Sequence, residues 1–376
     1  MNVTQRILEL IRHQGPLSRA EIARRLGVSK PTVSAGVQLL LGAGLVREGG
    51  YAESEGGRRA ILIDFNAEAG FVIGMDVGGS AARAALADLQ GRVLASHQEP
   101  TGHGDAAALL AQLGGIKRRL TAQIGVDERR VLAVAVGTPG VIDPVLGMVR
   151  YAPNLPALED PAFIHHIGEA LGEQVSLEND VNMATLGEQW QGAGQGLSDF
   201  VFVSIGTGLG LGLMMDGRLY RGTAGRAGEF GYAPLLGQPD SNLEELLCGP
   251  TLARRHREAG GGGSPEEAFD EALAGRQPGK GVIEGFLEHL SLALATLASL
   301  LDPQAIILGG GVGSRCAPFL GELHAKLARL SPILPPLAVS TLRGEAGIYG
   351  ALAVALQESR PLTLLEGGGE KITENS

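Results

Sequence analysis

In the stretch GMDVGGSAARAAL, residues 74–86, a hydrophobic run ends in an acid, two glycines and a hydroxyl: Asp76, Gly78, Gly79 and Ser80. Glycine lets backbone N–H groups approach phosphate oxygens, and a carboxylate can hold magnesium through water, so this spacing suits a phosphate cradle. A second stretch, FVFVSIGTGLGLGLMMDGRLY at 200–220, sets Gly206, Thr207 and Gly208 in a similar pattern. Each stretch reads as a strand, a glycine-rich turn with a hydroxyl, a second strand, a polar turn containing Gly-Arg and a third strand. The two agree in pattern more than in identity, which implies an internal duplication. Two such hairpins facing each other across a cleft would hold a nucleotide's phosphates from both sides. Tight hairpin packing accounts for a glycine pair about as well.

The elements that carry these turns are apolar runs ending in glycine clusters. Along the chain come VLAVAVGTPGVID (131–143), YAPNL (151–155), VSLENDVNMATLGEQW (175–190), GRAGEFGY (225–232) and the buried-looking strand AIILGGGVG (305–313), which contains Gly310 and Gly311. Within ENDVN, Asp180 and Asn182 have side chains suited to capping a helix that starts near Met183. The run GFLEHLSLALATLASLLD (285–302) is apolar on a wide stripe and is expected to pack in a core. GGGGSP (260–265) reads as a flexible loop, and the segment after Leu365 as a disordered tail.

The first sixty residues differ. TQRILELIRHQ repeats apolar residues at helical spacing and meets the breaker Gly15-Pro16. Ser18 precedes RAEIARRLG with Glu21 at the capping-box distance, and Gly27 ends the segment. Ser29 caps a third helix, KPTVSAGVQLLLGAG, with Pro31 in its first turn. Strands at 45–47 and 60–64 then flank a glycine-rich tip. Three short helices and a hairpin make a winged helix-turn-helix. The start of the last helix enters the major groove in such modules, so Ser29, Lys30, Thr32, Val33 and Ser34 are the expected DNA contacts, with Arg58 and Arg59 of the wing on phosphate or the minor groove. A small helical domain for protein contacts is the alternative.

Charge supports the division. The chain of 376 residues carries a formal net charge of −10. Residues 1–60 hold nine Lys or Arg against five Glu, a net +4, which leaves −14 for the rest. Only the first segment is therefore expected to face phosphate. No window approaches the roughly 18 uninterrupted apolar residues of a membrane span, and the N-terminus lacks a secretory core; the expectation is a cytoplasmic protein without a membrane partner. Two cysteines, Cys248 and Cys316, are too few for a disulfide framework or a self-contained zinc cluster.

The ordered series DVGGS, GTPGVID, PNL, ENDVN, GTGLG, GEFGY, LGGGVG resembles the ROK family, which groups bacterial sugar kinases with sugar-responsive repressors. The likeness runs from about residue 70 to 356 and, with the winged helix in front, is to the repressor branch of xylose- and N-acetylglucosamine-type regulators. It implies an α/β chain: a winged helix-turn-helix at 1–64 before a two-lobed actin-like ATPase (ribonuclease H-like) ROK domain. Lobe 1 spans 70–185 with a returning helix at about 346–358, lobe 2 spans 186–345, and 366–376 is the tail.

What the resemblance implies for the site follows residue by residue. Asp180 takes the position of the kinases' catalytic base, a role that suits phosphoryl transfer, and a carboxylate on a sugar hydroxyl serves a sensor equally. Asn154, Asp180, Glu229 and Glu244 occupy sugar-binding positions, with Tyr232 standing where the family's GEIGH motif has a histidine. Asp76, Gly78, Gly79, Ser80, Gly206, Thr207, Gly208, Gly310 and Gly311 form the nucleotide site, so Mg-ATP binding is admitted. That histidine commonly binds a structural zinc, and QPDSNLEELL (238–247) stands where the cysteines of the site would be, so no zinc is expected. The implied function is a sugar-responsive transcriptional regulator acting on operator DNA as a homodimer or larger, with no cofactor required. The alternatives are an ATP-dependent sugar kinase and a scaffold without ligand.

Overall fold

The computed structural model describes residues 2–51, 59–144, 146–172, 174–235 and 238–359. The head begins with α1 (Val3–Gln14), where Asn2 and Gln5 cap each other's backbone N–H groups at 2.9 and 2.8 Å. In α2 (Arg19–Leu26) and α3 (Lys30–Gly42), Ser18 accepts from the Glu21 N–H at 3.2 Å and Ser29 from the Thr32 N–H at 3.3 Å. The Glu21 carboxylate pairs with Arg25 at 2.5 Å and Arg24 at 3.4 Å instead of returning to its cap. Strands β1 (Leu17–Ser18), β2 (Val46–Tyr51) and β3 (Ile61–Phe65) form an antiparallel sheet in the order β1-β3-β2. The two-residue β1 has no periodicity from which a sequence reading could find it.

Lobe 1 is a five-stranded sheet of β4 (Phe71–Val77), β5 (Ala81–Asp88), β6 (Val93–Pro100), β7 (Val131–Thr138) and, after the small ribbon β8 (Val141–Asp143) and β9 (Met148–Arg150), β10 (Val175–Asn179). Helices α4 (Ala106–Ile124) and α5 (Pro161–Leu171) cover one face, and α6 (Asp180–Gln191) leaves the end of β10. Lobe 2 repeats the plan with β11 (Phe200–Ile205), β12 (Leu209–Met215), β13 (Arg218–Leu219), β16 (Ala305–Gly309) and β17 (Leu337–Val339). Between β13 and β16 lie β14 (Pro234–Leu235), β15 (Gln238–Asn242), α7 (Glu244–Leu247), α8 (Gly249–Glu258), α9 (Pro265–Leu273) and α10 (Gly279–Leu301). α11 (Gly310–Gly313) and α12 (Leu320–Leu330) precede β17, and α13 (Ala346–Glu358) returns to lobe 1.

Both sheets share one order: an antiparallel three-stranded meander, β6-β5-β4 or β13-β12-β11, extended by two parallel strands, β7-β10 or β16-β17. The duplication read from the two hairpins is therefore real at the level of topology. Strand β16 is buried at every position, as a parallel strand covered on both faces must be.

Two junctions join these parts. The head and lobe 1 share one core, in which Ile7, Leu8, Leu40 and Phe65 are continuous with Val72, Ala87 and Leu89. The segment 66–70 is tied on both sides: Asn66 Nδ2 donates to the Gly44 carbonyl at 2.7 Å, and the Leu89 N–H donates to the Ala67 carbonyl at 3.0 Å. Arg12 reaches across to the Leu89 carbonyl at 2.9 Å. Helices α6 and α13 cross backbone to backbone, since a Cβ on Gly350 would overlap the Met183 carbonyl and one on Gly187 would overlap the Ala346 carbonyl.

One expectation changes. The 260–265 loop is ordered around the buried His256, whose Nδ1 accepts from the Gly263 N–H at 3.2 Å, so hydrogen bonds override its composition. α10 has the length and hydropathy of a membrane span, and Ile283, Phe286, Leu290 and Leu294 pack in the lobe 2 core, as the apolar stripe of 285–302 implies. The tail expected at 366–376 lies outside the described residues.

Gly350→Ala is expected to destabilise the protein by about 3 kcal/mol, the upper range for forcing atoms into a packed interior. Urea unfolding of the full chain checks this; an unchanged midpoint refutes the crossing.

Candidate functional site

Asn179 builds the centre of the site. Its Oδ1 accepts from the N–H groups of Val181 and Asn182 at 2.9 and 3.0 Å, capping α6, while its Nδ2 donates to the Gly140 carbonyl at 2.9 Å. The cap is thus one residue before Asp180, not Asp180 or Asn182, and the Asp180 carboxylate is left to face the cleft. Asn182 points inward, its amide donating to Glu178 Oε1 at 2.9 Å. The other Glu178 oxygen holds Arg221 of lobe 2 at 2.5 Å.

Asn154, Asp180, Glu229 and Glu244 converge on one cleft of about 540 Å³ between the lobes. Gly78, Gly79 and Ser80 of the β4–β5 turn line one wall, and Gly206, Thr207 and Gly208 of the β11–β12 turn line the opposite one. Asp76, Gly310 and Gly311 line an adjoining chamber of about 310 Å³, which shares Asp180, Val181 and Ser204 with the cleft. Both glycine turns and Asp180 line the same cleft. Glu244 also acts on the backbone, since its Oε2 accepts from the Leu209 N–H at 2.9 Å and so fixes the second turn.

Burial, with acid crowding second, sets the electrostatics. Burial, then the charge of Asp76, and further that of Glu229, push the Asp180 carboxyl up to about 7, against the pull of the Val181 N–H. Asp76 is raised by burial and partly relieved by Arg83 at 3.4 Å. Glu229 is raised by burial and then by Glu244. Such a set, with carboxylates that accept and protonated carboxyls that donate, can meet the paired hydroxyls of a polyol.

Tyr232 falls outside this set: it is 65% exposed and does not line the cleft, so it does not take the place of an inward histidine. The short turn Phe230–Tyr232 carries the ring outward. Residues missed by sequence reasoning include Glu178, Asn179, Arg221, His103 and Tyr151. The last two line the cleft, and only the ENDVN context hinted at Glu178 and Asn179. For zinc the donors do not fit. Cys248 is buried with its thiol on Thr251 at 3.5 Å, and among the described residues no three His, Cys, Asp or Glu side chains are grouped to hold a metal.

On the head, Ser29, Lys30, Thr32 and Ser34 are exposed at the start of α3, and so is Arg59. Val33 is fully buried and cannot contact bases; with Val37 and Leu40 it forms the inner stripe of the helix. Gln38, one turn beyond Ser34, is exposed on α3 and was missed; its amide suits an adenine edge. Arg58 lies outside the described residues.

Asp180 supplies a pH test. Its folded pKa lies above the ordinary 3.8, so the stability linked to its proton is full below about pH 4 and is lost as pH rises toward 7. The melting temperature should fall between about pH 5 and 7, and Asp180→Asn should reduce that slope. A thermal-melt series across pH in which the variant tracks the parent refutes the assignment.

Comparison with known proteins extends this reading. The ROK family model matches residues 72–358, and the MarR family model matches residues 5–60. A xylose repressor of Caldicellulosiruptor bescii is 26% identical over 378 residues, covering 94% of each chain. A glucokinase of Halalkalibacterium halodurans is 26% identical over 309 residues, 74% of this chain and 92% of its own. A solved ROK family transcriptional regulator, a homologue of the E. coli MLC protein, shares the fold at TM-score 0.78 and 23% identity over 96% of this chain and 98% of its own. A ROK hexokinase from Thermus thermophilus, at TM-score 0.66 and 31% identity, covers 98% of its own chain but 77% of this one. The chain belongs to the ROK family, and it carries in front of that domain a winged helix of MarR type.

Proposed function

We propose that this protein is a sugar-responsive transcriptional repressor of carbohydrate metabolism that binds operator DNA through the winged head. The observation that carries the reading is the convergence of Asn154, Asp180, Glu229 and Glu244 on one interlobe cleft, in a chain whose head shares a core with lobe 1. Relatives include repressors named for xylose and kinases named for glucose and β-glucosides. Neighbouring hydroxyls are met by carboxylates and amides, and a pocket of buried polar groups rejects ligands that leave those groups unpaired.

The route from cleft to DNA is mechanical. Sugar drawing the walls together rotates lobe 2 against lobe 1, and the head moves with lobe 1 because segment 66–70 is hydrogen-bonded on both sides. A second copy supplies the second recognition helix, with half-sites a turn of DNA apart or a multiple of it. The regulator works in the cytoplasm, with no zinc and no membrane partner.

A second reading, an ATP-dependent sugar kinase, is favoured by the two complete glycine turns lining the same cleft. Asp76 would hold magnesium through water, sharing its carboxylate with Arg83, and the ion would supply charge neutralisation to a nucleotide's phosphates. Asp180 would take the proton of the sugar hydroxyl.

Three outcomes are expected. Fragments of DNA flanking the gene bind with strong salt dependence, and Lys30→Ala lowers the salt slope by about one. A sugar from a panel changes that affinity, and Asp180→Asn or Glu244→Gln weakens the response at least roughly tenfold, the loss of one charged hydrogen bond. Inserting two glycines after Glu68 retains DNA binding but removes the sugar response. Fluorescence anisotropy reads all three, and failure of every fragment to bind refutes the regulator. Sugar-dependent ADP release that vanishes in Asp180→Asn would establish the kinase.

A further inference from the structure

Tyr151 is held at φ 59°, a left-handed backbone that bulky side chains avoid. Its ring nevertheless lines the cleft and remains 51% exposed. The Arg226 guanidinium stands 5.4 Å from the ring centroid, a cation–π contact that orients the ring from one side. Neither burial nor backbone comfort accounts for a tyrosine here, because an exposed ring gains little from folding and glycine would hold the same turn without strain.

Tyr232 is the second exposed ring of this region, three residues from Glu229. Burial, then the charges of Glu229, Glu244 and Tyr151, oppose ionisation of its hydroxyl, but it does not line the cleft. Two chemistries neighbour each other at Tyr151. Acids that take hydroxyls line the cleft, and the Tyr151 ring, which can take the C–H face of a pyranose, stands with them, exposed to solvent.

We propose that Tyr151 forms an outer subsite of the cleft, and that the effector is a disaccharide or glycoside whose second ring stacks there. The proposal rests on the sugar-sensing reading and adds the size class of the ligand. Asn154, Asp180, Glu229 and Glu244 hold the inner ring by its hydroxyls, and Tyr151 receives the outer ring on the face away from Arg226.

The test is calorimetry on the full chain with matched probes: xylose against xylobiose, and glucose against cellobiose and maltose. In one of these sets the two-ring sugar should bind about tenfold tighter than its one-ring counterpart, the scale of a single aromatic contact. Tyr151→Gly relieves the backbone and so does not threaten folding; it should collapse that ratio toward one, while Tyr151→Phe retains it, as does Tyr232→Ala, which removes a ring outside the cleft. Equal affinity within every set overturns the outer subsite and leaves sugar sensing standing. A Tyr151→Gly variant that loses one-ring and two-ring sugars by the same factor does so too, because the ring then serves the inner site. Silence toward all the probes, with the chain folded by its melting curve, overturns both readings.

Discussion

The crossing of α6 and α13 is the constraint on which the rest of the molecule depends. The carbonyls of Met183 and Ala346 fill the places where Gly350 and Gly187 would otherwise carry side chains, so the two helices touch through their backbones. α13 also lies close to β4, where a Cβ on Gly74 would meet the Leu352 nitrogen at 2.7 Å. On its other side α6 presses Val181 and Thr185 against Gly210 and Gly212 of β12. One helix thus belongs to both lobes, and its first residue is Asp180. Close-packed interfaces of this kind move between discrete arrangements and do not deform smoothly, which makes α6 a pivot.

Around that pivot the protein has gathered charge that folding alone would disperse. Burial raises the Asp76, Asp180 and Glu229 carboxyls; the charges of Asp76 and Glu229 add to it at Asp180, that of Glu244 adds to it at Glu229, and Arg83 offsets part of it at Asp76. Glu178 sits one layer deeper and is held by Arg221, an ion pair that joins β10 of lobe 1 to the strand end of lobe 2. Ser340 donates to Glu188 across the same divide. Water in an open cleft tolerates the crowding, and a polyol that replaces the water must bring donors to match it. Hydrogen bonds thus span the junction beside the cleft and its adjoining chamber.

The head is drawn into the same system because it does not hang on a free linker. Its core runs into that of lobe 1 through Phe65, Val72 and Leu89, and Arg12 bonds a lobe 1 carbonyl. A flexible tether would isolate the DNA-binding helices from whatever the cleft does; a shared core makes them part of lobe 1.

Much of this was legible in the residues. Local signals determined the head, because Ser18, Ser29, Gly27 and Pro31 act within one turn of where they stand, and they set the repeated hairpins, because glycine turns between apolar runs have few other uses. The order of the motifs identified the family and named Asn154, Asp180, Glu229 and Glu244 as companions. What the tertiary structure alone decided was direction. Val33 turned into the core and Tyr232 out to solvent, Asn179 took the cap that freed Asp180, and the glycine loop at 260–265 wrapped His256. Tyr151 and Arg226 met across a cleft that joins segments far apart in the chain. Sequence spacing reports neighbours along a helix or strand, whereas the face a side chain presents across an interface depends on packing with partners that local patterns do not contain.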